Sequence, residues 1–193
     1  MKLLKRIYAF TVLVVFYCSQ RAKEHGMENF NLMDRLIDQF RCYFDVEQPY
    51  SIAGFDFAAY AHYYQNQQKY VLVRRAKLYG LEMHEHVFFL EVELLTQSVW
   101  ESLKAFIIAA EKDFVKPHSE HMYSYMTLLL VCGSIEAAVK EDIRKTKYTK
   151  NYKFSLYGYS TVRVGAMDVS DETIFTNWPG RDLKRVFRQA LHA

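Results

Sequence analysis

Residues 121–131 (HMYSYMTLLLV) constrain the fold most, because after its first residues this stretch is apolar at both sets of alternating positions. Successive side chains of a strand point to opposite faces of its sheet, so a strand of this composition buries both faces. Such strands usually lie in the middle of a sheet. The sequence therefore predicts a central strand here, in a sheet on which helices pack.

The rest of the chain predicts further elements on either side of this strand. Apolar residues at helical spacing predict helices at residues 31–44, 98–116, 134–145 and 178–191. Alternating patterns predict strands at residues 55–64, 70–77, 86–95, 152–157, 161–169 and 173–176. The expected order is α-βββ-α-β-α-βββ-α, an α/β fold with mixed α+β character and one mixed sheet.

Residues 1–26 are predicted to lie outside this domain, which then spans residues 27–193 as a single globular unit. Residues 7–18 (IYAFTVLVVFYC) are apolar and follow basic residues, but a membrane span needs about 20 residues, so no stable transmembrane helix is expected. Three interpretations stay open: a signal or weak membrane anchor, an element packed on the domain, or an extension upstream of a natural start at Met27. The expected compartment is the cytoplasm, with membrane association through residues 7–18 as the alternative. The three cysteines are interpreted as free thiols.

Polar residues gather at the predicted starts of the central strands. One helix connects the third predicted strand (residues 86–95) to the fourth (residues 121–131), and another connects the fourth to the fifth (residues 152–157). Such crossovers usually join parallel strands, so the starts of these three strands share one edge of the sheet. That edge is expected to hold Glu85 and His86, then His121 and Tyr123, then Lys150 and Tyr152.

Imidazole and carboxylate groups at such an edge suit transition metals. His84, His86 and His121 are therefore weak metal candidates, although their spacing matches no named metal motif. The alternative interpretation is that these are partly exposed polar residues at strand starts. No cofactor is predicted.

Residues 140–193 carry eleven basic and six acidic side chains, which suggests a protein or anionic partner at this surface. The candidate contacts for an anion or nucleic acid are Lys140, Arg144, Lys147, Lys150, Arg181, Lys184, Arg185 and Arg188. Lysine and arginine bind phosphates, and the interleaved Tyr148 and Tyr152 are suited to stacking on bases. The alternative interpretation is that both helices have solvated charged faces.

Several short motifs occur in a fixed order along the chain. They are residues 85–89 (EHVFF), 116–117 (KP), 121–125 (HMYSY) and 150–152 (KNY), then Asn177 with Gly180 and Arg181. With these motifs the chain resembles a family of small uncharacterised proteins from Gram-positive, largely anaerobic bacteria, over about residues 28–191. The resemblance implies a domain of unknown function, and it carries over no activity, cofactor or catalytic residue.

Three classes of function are left by these observations. A small binding or regulatory module without catalysis is the preferred interpretation. The alternatives are a nucleic-acid-binding protein that uses residues 140–153 and the last helix, and a metal-dependent or acid–base enzyme with a Glu/His edge site. The glycines are isolated and no Ser or Cys stands in a nucleophile elbow, which argues against the common nucleotide-binding and hydrolase folds.

Overall fold

The computed structural model describes residues 32–68 and 80–192, which form four helices and nine strands. The helices are α1 (Leu32–Asp38), α2 (Gln97–Phe114), α3 (Ala137–Lys145) and α4 (Leu183–Leu191). The strands are β1 (Asp45–Glu47), β2 (Tyr50–Ile52), β3 (Phe55–Phe57), β4 (Ala59–Gln68), β5 (Gly80–Leu95), β6 (His121–Ile135), β7 (Thr149–Asn151), β8 (Tyr159–Asp168) and β9 (Thr173–Thr176).

Seven strands form one mixed sheet with β6 near its middle. The strand order is β1-β4-β5-β6-β8-β7, and β9 also pairs with β8, beyond β7 along the same edge. β6 is parallel to both β5 and β8, whereas the outer strands are antiparallel to their neighbours. The predicted central strand, the parallel crossover from β5 to β6 and the α/β class with one mixed sheet are confirmed.

Helices cover both faces of this sheet and divide the core into two layers. Trp100 and Leu103 of α2 and Val139 of α3 pack on one face, called here the α2/α3 face. Met33 of α1 and Phe187 of α4 belong to the layer on the other face, the α1/α4 face. The alternating apolar residues of β6 serve both layers, which explains why this strand has no polar side along its length.

The first half of the sheet differs in detail from the prediction. The predicted strand at residues 55–64 is two strands, because β3 pairs with β2 in a separate small sheet while β4 joins the main sheet. The short β1 and β2 were not predicted. Residues 65–68, expected to turn, remain in β4 because they pair with the first residues of β5. The predicted strand at residues 70–77 lies outside the described residues.

Residues 152–158 form a tight turn where a strand was predicted. Lys153, Phe154 and Ser155 all adopt positive φ angles, a left-handed conformation that no strand contains. The turn reverses the chain, so β7 is antiparallel to β8, and Lys150 does not begin a parallel strand. The strand parallel to β6 is instead β8, which begins at Tyr159.

The side chain of Asn177 fills the gap that β7 and β9 leave along the edge of β8. Its Oδ1 accepts the backbone N–H of Val164 at 3.0 Å, and its Nδ2 donates to the carbonyl of Val162 at 3.0 Å. Gly180 also donates its N–H to Oδ1, and a Cβ on this residue would lie only 2.8 Å from that same atom. A glycine is therefore required for the amide to reach β8.

Several expectations concern the chain outside or at the limits of the described ranges. The segment of residues 1–26 and Asn31, the first residue of the helix predicted at residues 31–44, lie outside them. In the described part, no helix combines the length and apolarity needed to cross a bilayer.

Cys132 is a free, buried thiol, but Cys42 is disulfide-bonded, so the prediction of three free thiols is wrong for Cys42.

Candidate metal centre

Histidines from two antiparallel strands meet on the α2/α3 face, toward the amino ends of the parallel strands. The register of β4 and β5 places His62 directly opposite His86, and Tyr64 opposite His84. Residues opposite each other in a ladder share a face, as do residues two apart on one strand. The histidine cluster, His62, His84 and His86, therefore projects to one side of the sheet.

The three imidazole rings of the cluster are stacked almost parallel. The ring centroids of His62 and His86 are 4.6 Å apart, those of His62 and His84 5.5 Å, and those of His84 and His86 6.1 Å, with interplanar angles of 4° or less. His62 Nε2 and His84 Nδ1 share a hydrogen bond of 3.2 Å. One ring nitrogen of each histidine lies within 4.8 Å of those of the other two, and no other group in the described ranges has this arrangement.

His86 is the deepest member of the cluster, with 4% of its surface exposed. Its Nδ1 is 2.7 Å from the Tyr60 hydroxyl, and the edge of the Phe114 ring, 5.2 Å away between centroids, covers it from α2. Its Nε2 is buried and has no hydrogen-bond partner. Because nearly all buried polar atoms in proteins are hydrogen-bonded, this nitrogen requires an explanation.

Burial lowers the pKa of all three imidazoles. For His86, desolvation and then repulsion from His62 and His84 lower the pKa from 6.5 to about 3. Desolvation is also the main cause of the lowered pKa of His62 and His84, and it outweighs the opposing effect of the Asp45 carboxylate at His62. The cluster is therefore neutral at pH 7, the protonation state in which imidazole binds metal ions.

We expect the metal-free protein to lose stability as the pH falls below 6.5. The His86 pKa of the folded state, about 3, lies below the value of 6.5 in the unfolded chain. The unfolded chain therefore binds more protons in this interval, and stability falls with falling pH. His86 alone contributes a loss of about 2 kcal/mol between pH 7 and pH 5, at about 1.4 kcal/mol per pH unit below 6.5. Urea unfolding at a series of pH values measures the slope.

The control for this prediction is His86→Phe, which keeps a ring beside Phe114 but cannot be protonated. In this variant the free energy of unfolding should depend less on pH, because the contribution of His86 is lost. The contributions of His62 and His84, whose pKa values are shifted in the same direction, should remain. A free energy of unfolding that does not change between pH 7 and pH 5 in the natural protein would contradict the prediction.

Glu82 forms an outer layer beside His84. Its Oε2 is 3.9 Å from His84 Nε2 and 2.9 Å from His118 Nε2, and its Oε1 accepts a hydrogen bond of 3.1 Å from the Tyr64 hydroxyl. His84 therefore presents Nδ1 to His62 and Nε2 to a carboxylate. A carboxylate on the far side of a ligating imidazole orients the ring and raises its basicity.

His121 lies beside the cluster, with its ring centroid 6.4 Å from that of His84. Its Nδ1 donates to the Tyr157 carbonyl at 2.7 Å, so its Nε2, 2.8 Å from the Ser124 hydroxyl, accepts. Both ring nitrogens are therefore occupied.

Tyr152 lies close to His121, although it comes from the turn after the antiparallel edge strand β7 and not from the predicted parallel strand. Lys150 Nζ is 2.9 Å from the buried Glu111 carboxylate, to which the Tyr152 hydroxyl also donates. The Tyr152 ring lies 5.8 Å from that of His121. Lys150 and Tyr152 thus interact with Glu111, and no contact joins them to the three histidines of the cluster in the described ranges.

Glu85 and Tyr123, predicted to share an edge with His86 and His121, project to the α1/α4 face. Arg163, 2% exposed, pairs with Glu85 at 2.5 Å and with Asp182 at 2.6 Å. The Tyr123 ring stacks on that of Tyr125, 4.5 Å away. The structure thus brings His84, His86 and His121 together and separates them from the other two residues by the thickness of the sheet.

The basic candidates are divided between local ion pairs and the surface of α4. Lys140 pairs with Asp168 and Asp171, Arg144 with Glu141, and Lys150 with Glu111. Lys147 follows α3 and has no ion pair among the described residues. Lys184, Arg185 and Arg188 lie on the exposed side of α4, and Arg181 lies over the Trp178 ring.

Sequence reasoning missed two members of this site, His62 and Tyr60. The available signal was the alternation of Tyr60, His62 and Tyr64 in a strand that precedes another histidine-bearing strand, His84 and His86. If the two strands form an antiparallel pair, their histidines can lie opposite each other. Strands were predicted at residues 55–64 and 86–95, but the hairpin partner of the first was assigned to residues 70–77. The two sets of histidines were therefore not predicted to face each other.

Comparison with known proteins gives a match to one protein family. A family model described as a domain of unknown function (DUF8052) matches residues 28–189, which include the histidine cluster and both helical layers. No curated protein and no solved structure matches the chain. The expectation of a domain of unknown function is confirmed.

Proposed function

The chain belongs to the family defined by the domain of unknown function DUF8052, and from the geometry of the histidine cluster we propose that it binds a divalent transition-metal ion. His62, His84 and His86 are the proposed ligands. The proposed function is that of a metal-binding module. It combines two interpretations of the sequence, a binding module without catalysis and a metal site built from histidines.

The observation that carries the proposal is the buried Nε2 of His86, which has no partner and lies next to two further imidazoles. A neutral imidazole nitrogen that lacks a hydrogen bond in a buried site has a lone pair or a proton that nothing satisfies. Coordination of a metal ion satisfies it, provided that Nδ1–H donates to the Tyr60 oxygen 2.7 Å away.

The spacing of the other two nitrogens supports the same proposal. Zinc–imidazole bonds of about 2.0–2.1 Å place two ligand nitrogens about 3.3 Å apart in a tetrahedral site. His62 Nε2 and His84 Nδ1 are already 3.2 Å apart. One ring nitrogen of His86 lies within 4.8 Å of a ring nitrogen of each of the other two, so tetrahedral spacing requires a movement of at most about 1.5 Å, which a small side-chain rotation covers.

The donor set also indicates the class of ion. Three neutral imidazoles favour Zn²⁺, Cu²⁺, Ni²⁺ or Fe²⁺ over Mg²⁺ and Ca²⁺, which prefer oxygen ligands. Three protein ligands leave at least one coordination position open, and in zinc sites water or a substrate takes that position.

We expect the full-length, untagged and metal-free protein to bind one Zn²⁺ or Co²⁺ per chain. Calorimetry measures the stoichiometry and Kd, and the visible spectrum of bound Co²⁺ reports a four-coordinate site. His62→Asn and His84→Asn should each weaken binding by more than about 100-fold, since loss of an outer-layer partner alone costs roughly 10–100-fold. Tyr60→Phe should fall in that smaller range.

Two further histidine variants make the test specific. His192→Asn removes a histidine at the end of α4 and should leave the Kd unchanged. His121→Asn tests a residue whose two nitrogens are already hydrogen-bonded, and it should change the Kd far less than His84→Asn. Binding that is lost only in His121→Asn, or that survives in both His62→Asn and His84→Asn, contradicts the proposed ligands.

A further inference from the structure

An open cavity of about 490 Å³ lies at the edge of the sheet beside β7, away from the histidine cluster. Aromatic residues from three segments line it: Tyr148 before β7, Tyr159 at the start of β8, and Trp178 before α4. Small-molecule sites are typically about 300–1,000 Å³ in volume, largely apolar, with a few polar groups. The cavity therefore has the size and the walls of a binding site for a small planar molecule.

Trp178 is the most unusual of these side chains, because 68% of its surface is exposed. The Arg181 guanidinium lies over the indole, 4.9 Å from its centroid, and this contact holds the ring in place. The following Pro179, which also lines the cavity, restricts the backbone beside it. The protein thus presents a large aromatic face at the mouth of a cavity, where an aromatic ligand can stack on it.

Lys147 supplies the cationic group of the cavity. It is exposed and has no ion pair in residues 32–68 and 80–192, whereas the neighbouring Lys140, Arg144 and Lys150 each pair with a carboxylate. No acidic side chain lines the cavity within the described ranges. An anionic group on a ligand would therefore meet an unopposed positive charge.

We propose that this cavity binds a nucleotide, with the planar base against Trp178 and the phosphate at Lys147. Thr149 and Thr161 also line the cavity, and their hydroxyls are hydrogen-bonded to each other at 2.8 Å. The ligand is either a free mononucleotide or one nucleotide of a single strand, since both present the same base and phosphate. The site differs from nucleotide sites built on a glycine-rich loop, because its recognition relies on a stacking ring and one lysine.

The fluorescence of Trp178 tests the proposal directly. The chain has two tryptophans, and the other, Trp100, is fully buried under α3. Adenosine 5′-monophosphate added to the full-length protein should quench tryptophan emission to saturation, while Trp178→Leu should abolish the quenching and, in equilibrium dialysis, the binding. Adenosine should bind about tenfold more weakly, the effect of roughly one charge-assisted hydrogen bond.

Two lysine variants separate a specific contact from general charge. Lys147→Gln should reduce the affinity for the monophosphate to that for adenosine. Lys145→Gln removes the same charge from an exposed residue that does not line this cavity, and it should leave both affinities unchanged. Equal weakening by the two variants, equal binding of the monophosphate and adenosine, or no saturable quenching at millimolar concentration overturns the proposal.

A ten-residue oligo(dA) distinguishes the two sources of the ligand. Binding of the oligonucleotide that also requires Trp178 and Lys147, and is tighter than that of the mononucleotide, identifies the single strand as the source. Equal affinity identifies the free nucleotide. Oligonucleotide binding that persists in Trp178→Leu and falls steeply with salt would instead place nucleic acid on the basic surface of α4, and the cavity proposal would then be wrong.

Discussion

Leu129→Asp is expected to abolish the native fold. Leu129 is 0% exposed and projects from β6 into the layer on the α1/α4 face, together with Phe89 of β5 and Phe187 of α4. A carboxylate at this position enters an apolar layer, and its burial costs several kcal/mol. Loss of the leucine contacts adds about 2–5 kcal/mol, so the sum approaches or exceeds a typical stability of about 5–15 kcal/mol.

Far-UV circular dichroism during heating measures the effect, and Leu94→Asp is the matched control. Leu94 is also a strand leucine, but 48% of it is exposed. Surface substitutions of this kind usually change stability by less than about 0.5 kcal/mol. A cooperative transition of Leu129→Asp within a few degrees of that of Leu94→Asp would mean that β6 does not bury both faces.

Arg163→Met is expected to destabilise the protein by about 3–5 kcal/mol, the typical result of removing one partner of a buried ion pair. Arg163 lies between Glu85 and Asp182 on the α1/α4 face and joins β5, β8 and the start of α4. Its removal leaves Glu85, which is buried under the same layer, without a counter-charge. Burial already raises the pKa of Glu85 despite the neighbouring guanidinium, so without Arg163 the carboxyl group takes up a proton.

A double variant distinguishes the cost of an unpaired charge from the loss of Arg163 itself. Glu85→Leu combined with Arg163→Met removes both charges, and replacement of a buried ion pair by apolar residues is often neutral or stabilising. The double variant should therefore recover most of the stability lost in Arg163→Met, as measured by urea unfolding. If it is as unstable as the single variant, the arginine contributes mainly by packing on the Tyr125 ring.

The central part of the fold follows from local sequence patterns. An apolar stretch such as that of β6 buries its side chains only when a helical layer covers each face of the sheet and a strand pairs with it on each side. Single-helix crossovers make these neighbouring strands parallel. Element ends were less well predicted. The helix predicted to begin at residue 98 begins at Gln97, and it is capped by Thr96, whose side chain accepts the N–H of Val99. Local patterns identify an element better than they identify its first residue.

The candidate site depends on pairings that local patterns do not contain. The sequence placed Glu85 beside His86, but consecutive strand residues point to opposite faces: His86 contacts Phe114 of α2, whereas Glu85 pairs with Arg163 on the other face. The register between β5 and β6 also shifts at Glu82 and Met83, which changes the residues of β6 that lie beside the histidines. The association of His62 with His86 depends on the register of a hairpin, and one residue of slippage would have turned all the histidines of one strand away.

Asn177 has a consequence for the behaviour of the protein in concentrated solution. The long strand β8 has only short partners on its outer side, β7 and β9, and between them it would expose free backbone groups. Such an open edge is a template on which a strand of a second molecule can pair, the first step of aggregation. The Asn177 amide occupies the N–H of Val164 and the carbonyl of Val162. The Asn177 side chain thus takes the place of a strand along this part of β8 and prevents a second copy of the chain from pairing there.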